Sequence, residues 1–310
     1  MRLPSPTWTL WSTTLLLSPA TALNRPLRAR QPDTNFDWTA ITPTPDLQYH
    51  PCYGTFQCAR LQVPLDWSKA NTTANRGPHA AIAIVTLPAT VPPTDPAYAG
   101  PILINPGGPG GSGTEMALGL AAVMQSLVDV PGVRHYDILG FDPRGVALTT
   151  PSASCFASQF DRAADGMYRD GMSSVLDEQG LKMRFELAKG VAGLCALAQP
   201  GEESVFRYVS TASVARDMLE IVERVHALNT KGNATVAGKA CGGGSGGKPK
   251  LQYFGMSYGS FLANTFASMF PDRIGRIVVD GVVDADDYVS GVSDRLGLSG
   301  GADEIIADGS

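Results

Sequence analysis

The apolar positions of this chain change period several times, and each change marks an element. FQCARLQVPLDW (56–67) and HAAIAIVTLPAT (79–90) are apolar and β-branched runs joined by the polar loop 68–78, and they predict two strands. PILIN (101–105) is apolar almost throughout, as expected of a parallel strand covered on both faces. Over 113–128 the spacing becomes helical, with Met116, Leu118, Leu120, Val123, Met124 and Leu127 carrying the apolar pattern. YDILGFD (136–142) predicts another buried strand, and the more polar stretch 152–206 predicts helix. STASVARDMLEIVERVHAL (210–228) is a strongly amphipathic helix capped by Ser210 or Thr211. A strand then runs into Ser257, a helix follows to about 270, and RIGRIVVDG (273–281) predicts a further strand. Strand and helix in alternation imply an α/β fold, a mostly parallel sheet with helices on both faces.

The ends of the chain and its composition place that domain. Arg2, the short apolar run Thr9–Leu17 and Ala20-Thr21-Ala22 have the order of a secretory signal peptide, so residues 1–22 are expected to be removed on export. The apolar run is shorter than the roughly 20 residues that span a bilayer, so a secreted protein without a membrane span is expected. Residues 23–50 are rich in Pro, Arg and Thr and predict an extended entry segment. With 44% hydrophobic residues, 17% charged residues and a net charge of −5, the chain gives no reason to expect nucleic acid or an anionic membrane as partner. In an oxidising compartment Cys52 can pair with Cys58 and Cys155 with Cys195, leaving Cys241 over. No spacing is C-x-x-C and no histidine lies close to a pair in a zinc-like pattern, so no metal is expected. Asn71-Thr72-Thr73 and Asn233-Ala234-Thr235 are glycosylation sequons.

Three glycine-rich stretches carry the candidate chemistry. GGGSGGKP (242–249) approaches a phosphate-cradling loop, but Pro249 stands where a hydroxyl would hold magnesium and the stretch precedes a strand, so it reads as an insert. GPGGSG (108–113) fits a dinucleotide-binding turn between strand and helix. The next strand, however, ends in Asp142 about 30 residues on, beyond the roughly 20 at which a ribose-binding acid belongs. The same glycines suit an oxyanion loop, whose backbone N–H groups converge on one oxygen, and no cofactor is then required. GMSYG (255–259) is G-x-S-x-G after a strand and before a helix, the setting in which a serine is held exposed on a strained turn.

ILINPGGPGGSG, YDILGFDPRGVALTTP, FGMSYGS and RIVVDGVVD occur in that order, preceded by CYGTFQCARLQVPLDW. Together they resemble the secreted α/β-hydrolases of the tripeptidyl aminopeptidase and proline iminopeptidase group over roughly residues 50–292. The resemblance implies an α/β-hydrolase fold over 51–292, followed by a divergent tail at 293–310. It also implies hydrolysis of peptides from the N-terminus, or of related amides and esters. Ser257 would be the nucleophile, and the N–H groups of Tyr258 and of Gly107 or Gly108 the oxyanion donors. After Asp142-Pro143-Arg144-Gly145-Val146 that group usually has Gly-x-Ser, whereas this chain has Ala147-Leu148-Thr149.

In this fold the triad runs Ser, then Asp or Glu, then His. The histidines here, His50, His79, His135 and His226, all precede Ser257. Asp280 comes one strand early for the acid, and Asp284, Asp286 and Asp287 fall where the group's cap begins. The resemblance therefore leaves the fold C-terminally incomplete, without its last two strands, acid, base and cap, and with one sheet edge and apolar helix faces exposed. Two readings follow: a secreted serine hydrolase of which this is a truncated, poorly active record, or a non-catalytic binding protein that keeps the hydrolase front half.

Overall fold

The computed structural model describes residues 36–69, 77–170, 178–231, 247–290 and 305–308. The expected signal peptide, both sequon asparagines, Cys241 and most of the glycine-rich insert lie outside the described residues.

The sheet is built from β1 (His50–Cys52), β2 (Phe56–Pro64), β3 (His79–Leu87), β4 (Tyr98–Asn105), β5 (His135–Phe141), β6 (Leu251–Met256), β7 (Ile274–Asp280) and β8 (Ile305–Asp308), in the spatial order β1-β2-β3-β5-β4-β6-β7-β8. β5, β4, β6 and β7 are mutually parallel, and antiparallel β3 brings β2 into the same direction. The expected open edge at β7 is corrected: β8 pairs antiparallel with it, Ile277 opposite Ala307 and Val278 opposite Ile306. The tail's expected divergence in sequence does not prevent this, because a sheet edge pairs through backbone groups that any non-proline residue carries.

Helices cover both faces. α1 (Gly113–Val128) has the bounds its period predicts, with Ser112 as N-cap accepting the Glu115 N–H. α1 packs Met116, Ala117 and Ala121 with Ile104 and Ile138. On the other face lie α4 (Thr211–Thr230), capped by Ser210, and α5 (Tyr258–Met269). α4 buries Val214, Met218, Ile221, Val222 and Val225 against Leu61, Leu103 and Phe266. The polar stretch 152–206 forms α2 (Gln159–Asp170) and α3 (Glu178–Ala198), and α6 (Ala285–Ser290) follows β7. Among the described residues no helix is long and apolar enough to cross a membrane. The apolar face is incompletely covered beside α1, where exposed Leu127 lines a cavity with Ile102, Phe254 and Val278.

Residues 36–49 run along the body without regular structure beyond one 3₁₀ turn at Trp38–Ala40, yet Trp38, Ile41 and Leu47 are buried. Both expected disulfides are present, Cys52–Cys58 across the β1–β2 turn and Cys155–Cys195 tying the loop before α2 to α3. Two bridges among five cysteines leave one thiol. Alkylation of the unreduced, denatured chain is therefore expected to label Cys241 alone, read by peptide mass spectrometry; label on any other cysteine counts against the pairing.

A buried ion pair joins the layers. The Arg144 Nε and Nη2 donate to Asp217 Oδ2 and Oδ1 at 2.7 and 2.6 Å, and Arg144 Nη1 donates to the Leu65 carbonyl at 2.6 Å. The Trp67 indole N–H donates to the same carboxylate at 2.9 Å. Burial pushes the Asp217 carboxyl up, and the adjoining Arg144 guanidinium opposes that shift.

Candidate active site

The sheet order decides which loops meet. β4 lies next to β6, with Asn105 paired opposite Gly255, so the loop that leaves β4 and the turn that leaves β6 emerge side by side. Ser257 stands on that turn with φ 53° and ψ −123°, a left-handed conformation that side chains rarely adopt, and its side chain is exposed. Its own N–H donates to the Asp280 carbonyl at 2.9 Å, which anchors the turn to the end of β7.

Two glycines permit the turn. A Cβ on Gly255 would lie 2.7 Å from the Gly259 carbonyl oxygen, so strand and helix cross too closely for a side chain. A Cβ on Gly107 would lie 2.3 Å from the Met256 carbonyl oxygen and 3.0 Å from both the Ser257 Cβ and the Tyr258 nitrogen. The loop after β4 is thus in contact with the serine turn. Tyr258 opens α5, so its N–H has no carbonyl four residues back within the helix. Of the two glycines named from the sequence, Gly107 donates its N–H to Asn105 Oδ1 at 2.9 Å and is engaged inside the loop. The N–H of Gly108, a residue at φ 113°, makes no hydrogen bond among the described residues. Asn105 was not legible as a site residue; the only cue is a polar residue ending an otherwise apolar strand.

Asp142 does not behave as a ribose ligand. It is fully buried and accepts from Ser112 Oγ at 2.7 Å, from the Thr114 N–H and hydroxyl at 3.1 Å, and from the Leu148 N–H at 3.0 Å. The N-terminus of α1 therefore binds a protein carboxylate, which removes the dinucleotide reading. Asp142 instead holds the 143–149 turn against α1. Thr149 keeps the hydroxyl expected at that position: its Oγ1 donates to the Asp142 carbonyl at 2.7 Å and accepts the Ala83 N–H at 2.9 Å.

Ala147, where the resemblance expects glycine, has φ 42°. That conformation costs a non-glycine residue about 1 kcal/mol. Ala147→Gly is expected to stabilise the domain by up to about that amount, read as a higher midpoint of thermal unfolding. A lower midpoint would mean that the Ala147 methyl contributes packing that outweighs the strain.

The structure brings none of the histidines to Ser257. His135 opens β5 at the opposite end of the parallel strands, and its Nδ1 is 2.9 Å from Asp129 Oδ2 and from Thr90 Oγ1. His79 opens β3, which runs antiparallel, so it lies at the elbow's end of the sheet, but β5 and β4 intervene before β6. His50 opens β1, at the far edge. α4 touches the site at its first residue, where Thr211 Oγ1 meets the Tyr258 hydroxyl at 2.7 Å. His226 is fifteen residues on, a rise of about 22 Å along the helix. There, burial and the Arg273 charge hold its pKa below the ordinary histidine value. Of the later acids, Asp284 accepts the Asp286 and Asp287 N–H groups at 2.9 and 3.0 Å and caps α6. Among the described residues the Ser257 hydroxyl makes no hydrogen bond to a base.

Beside the elbow lies a cavity of about 430 Å³. Asn105, Gly107 and Tyr258 form its inner wall, and Pro109, Pro143, Val146, Phe206 and Val209 give it an apolar lining. Burial pushes the Tyr258 hydroxyl's pKa up, so it is a neutral donor or acceptor at this wall. An exposed serine, neighbouring backbone N–H groups and an adjoining cavity with apolar and polar walls suit attack on a carbonyl carbon, with a developing oxyanion facing the loop.

No protein-family model matches the chain. It is 30% identical over 227 residues to a tripeptidyl aminopeptidase of Streptomyces coelicolor, a match covering 73% of this chain and 35% of the relative. It is 29% identical over 227 residues to serine protease Hip1 of Mycobacterium tuberculosis, covering 73% of this chain and 36% of that protein. Carboxylesterase B of Mycobacterium tuberculosis is 34% identical over 164 residues, covering 53% of this chain and 28% of that protein. The chain thus spans about a third of the length of these curated relatives. Relatives and sheet topology agree with the resemblance drawn from the motifs, and the chain has the α/β-hydrolase fold.

Proposed function

With the α/β-hydrolase fold as premise, we propose that this chain supplies the nucleophile and the oxyanion loop of a secreted serine hydrolase that acts on peptides from the N-terminus. Ser257 is the nucleophile; the Tyr258 and Gly108 N–H groups hold the oxyanion; the cavity beside them receives part of the substrate. The observation that carries this reading is the conformation of Ser257, a non-glycine residue at φ 53° with the Gly107 loop packed on it. Strain of that kind persists only where the surrounding structure imposes it. The peptide substrate is supported by relatives named as peptidases, and a relative named as a carboxylesterase keeps small esters within the class. Export is supported by the N-terminal pattern and by two disulfides.

Among the described residues the serine has no base, and no histidine follows it in the sequence, so slow chemistry is part of the proposal. The specific observation behind the second reading, a non-catalytic binding protein, is the same lack of a histidine near Ser257. One experiment separates the two. Even without a triad, an oxyanion hole retains a rate advantage of about 10³ over water. A fluorophosphonate should therefore label Ser257 well ahead of the chain's other serines, as mapped by mass spectrometry. Labelling of Ser257 no faster than of exposed serines elsewhere would favour the binding reading.

A further inference from the structure

The cavity beside Ser257 is unbalanced in charge. Two guanidinium groups, Arg144 and Arg162, contribute to its lining, and among the described residues no carboxylate does. Arg144 is consumed by Asp217 and by the Leu65 and Pro64 carbonyls. Arg162, on the exposed first half of α2, forms no ion pair among the described residues. On the same helix, Asp161 is engaged at the cap, where its Oδ2 accepts from Ser158 Oγ at 2.7 Å, and neither Asp161 nor Asp165 forms an ion pair with Arg162. Pro109, Pro143, Val146, Phe206 and Val209 form apolar patches of the wall, beside polar Asn105, Ser152 and Tyr258, and lower the solvent screening of a charge placed against them.

We infer that Arg162 makes this cavity a subsite for a carboxylate-bearing part of the substrate. The inference rests on the reading of the cavity as the substrate's and adds to it the sign of the group recognised there. Guanidinium presents two parallel N–H donors to a carboxylate, a geometry an ammonium cannot offer. The Arg144–Asp217 pair fixes the 143–153 segment that forms the opposite wall, so the subsite has one stiff side and one adaptable side on α2. A substrate ammonium group would find no carboxylate among the described residues that line this cavity, and the Arg162 guanidinium nearby.

The test is equilibrium binding to the full chain of two matched ligand pairs: N-succinyl- against N-acetyl-trialanine amide, and trialanine acid against trialanine amide. The two pairs distinguish a carboxylate on the acyl side from one on the leaving side. In at least one pair the carboxylate-bearing member is expected to bind about five- to ten-fold tighter at low salt, with the preference shrinking as salt is raised. Arg162→Ala should abolish that preference without lowering the unfolding midpoint, because the side chain is exposed; Arg162→Lys should retain part of it. Equal affinities within both pairs, a preference that survives in Arg162→Ala, or no binding of any of the four at millimolar concentration would each overturn the inference. Failure here is separable from failure of the catalytic reading, because fluorophosphonate labelling of Ser257 does not depend on Arg162.

Discussion

Assayed as these 310 residues, or from Leu23 onward, the protein is expected to cleave aminoacyl and tripeptidyl amides no faster than its Ser257→Ala variant. A serine hydroxyl is essentially un-ionised near neutral pH and attacks an amide only when a base takes its proton in the same step. That base must stand within about 3 Å of the Oγ. His135 is at the wrong end of the strands, His79 is separated by β5 and β4, His50 is at the far edge, and His226 lies roughly three to four helical turns beyond Val214 and Thr211, the α4 residues at the site. Losing a triad member costs roughly 10⁴ to 10⁶ in rate, which takes amide hydrolysis below ordinary detection. Turnover of such an amide at a rate above about 1 s⁻¹, a common enzyme rate, and lost in Ser257→Ala, would mean that a base within these residues has been overlooked. Turnover that appears only when a polypeptide carrying a histidine is added would instead locate the missing function outside them. The expected loss is confined to proton transfer, so activated esters with good leaving groups, which need little help from a base, should show the smaller deficit.

What could be read from the residues and what could not divides along a physical line. α1 is bounded at 113 and 128 as its period predicts, because both the cap and the change of period are local properties of the chain. The serine turn is equally local: Gly255 and Gly259 leave the room that strand and helix need to cross so closely. That β4 lies between β5 and β6, and so delivers the Gly107 loop to Ser257, is a pairing between distant segments that periodicity does not encode. The choice between Gly107 and Gly108 as donor rested on Asn105, whose amide oxygen occupies one N–H only once the loop has closed. Residues 36–49 have no period, and Trp38, Ile41 and Leu47 are buried singly, in contacts set by the surface beneath them. The sequence also carries a strong cue in Asp217, an acid inside the apolar stripe Val214, Met218, Ile221, Val225 of α4. A carboxylate on the buried face of a helix requires a cation in the core, and the buried arginine of Asp142-Pro143-Arg144-Gly145 is that cation.

Asp217→Asn is therefore expected to cost about 3–5 kcal/mol, as removal of one partner of a buried ion pair does. The amide would keep the side chain's volume, so the loss isolates charge. Arg144, fully buried, would retain only the Leu65, Pro64 and Tyr208 carbonyls as acceptors, with no negative charge in contact. Trp67 would keep a side-chain acceptor only if the substituted amide placed its oxygen toward the indole, which in turn would aim the NH₂ at the guanidinium. With the oxygen there, Trp67 and Arg144 Nη2 keep their acceptor and Arg144 Nε faces the NH₂; neither orientation satisfies all three donors. For a domain whose whole stability is on the order of 5–15 kcal/mol, such a loss should lower the midpoint of thermal unfolding by roughly 6–20 °C at 2–4 °C per kcal/mol. Replacing both partners, as Arg144→Met with Asp217→Leu, removes the charge and its counter-charge together and should restore most of the midpoint, because paired charges of this kind are often no better than packed apolar groups. The single variant should also loosen the 143–153 wall of the cavity, so trialanine ligands should bind it more weakly than they bind the double variant. A fall of less than about 1 kcal/mol in Asp217→Asn, the range of a solvent-exposed pair, would mean that water reaches Arg144 and that the wall beside Ser257 is held by its backbone hydrogen bonds alone.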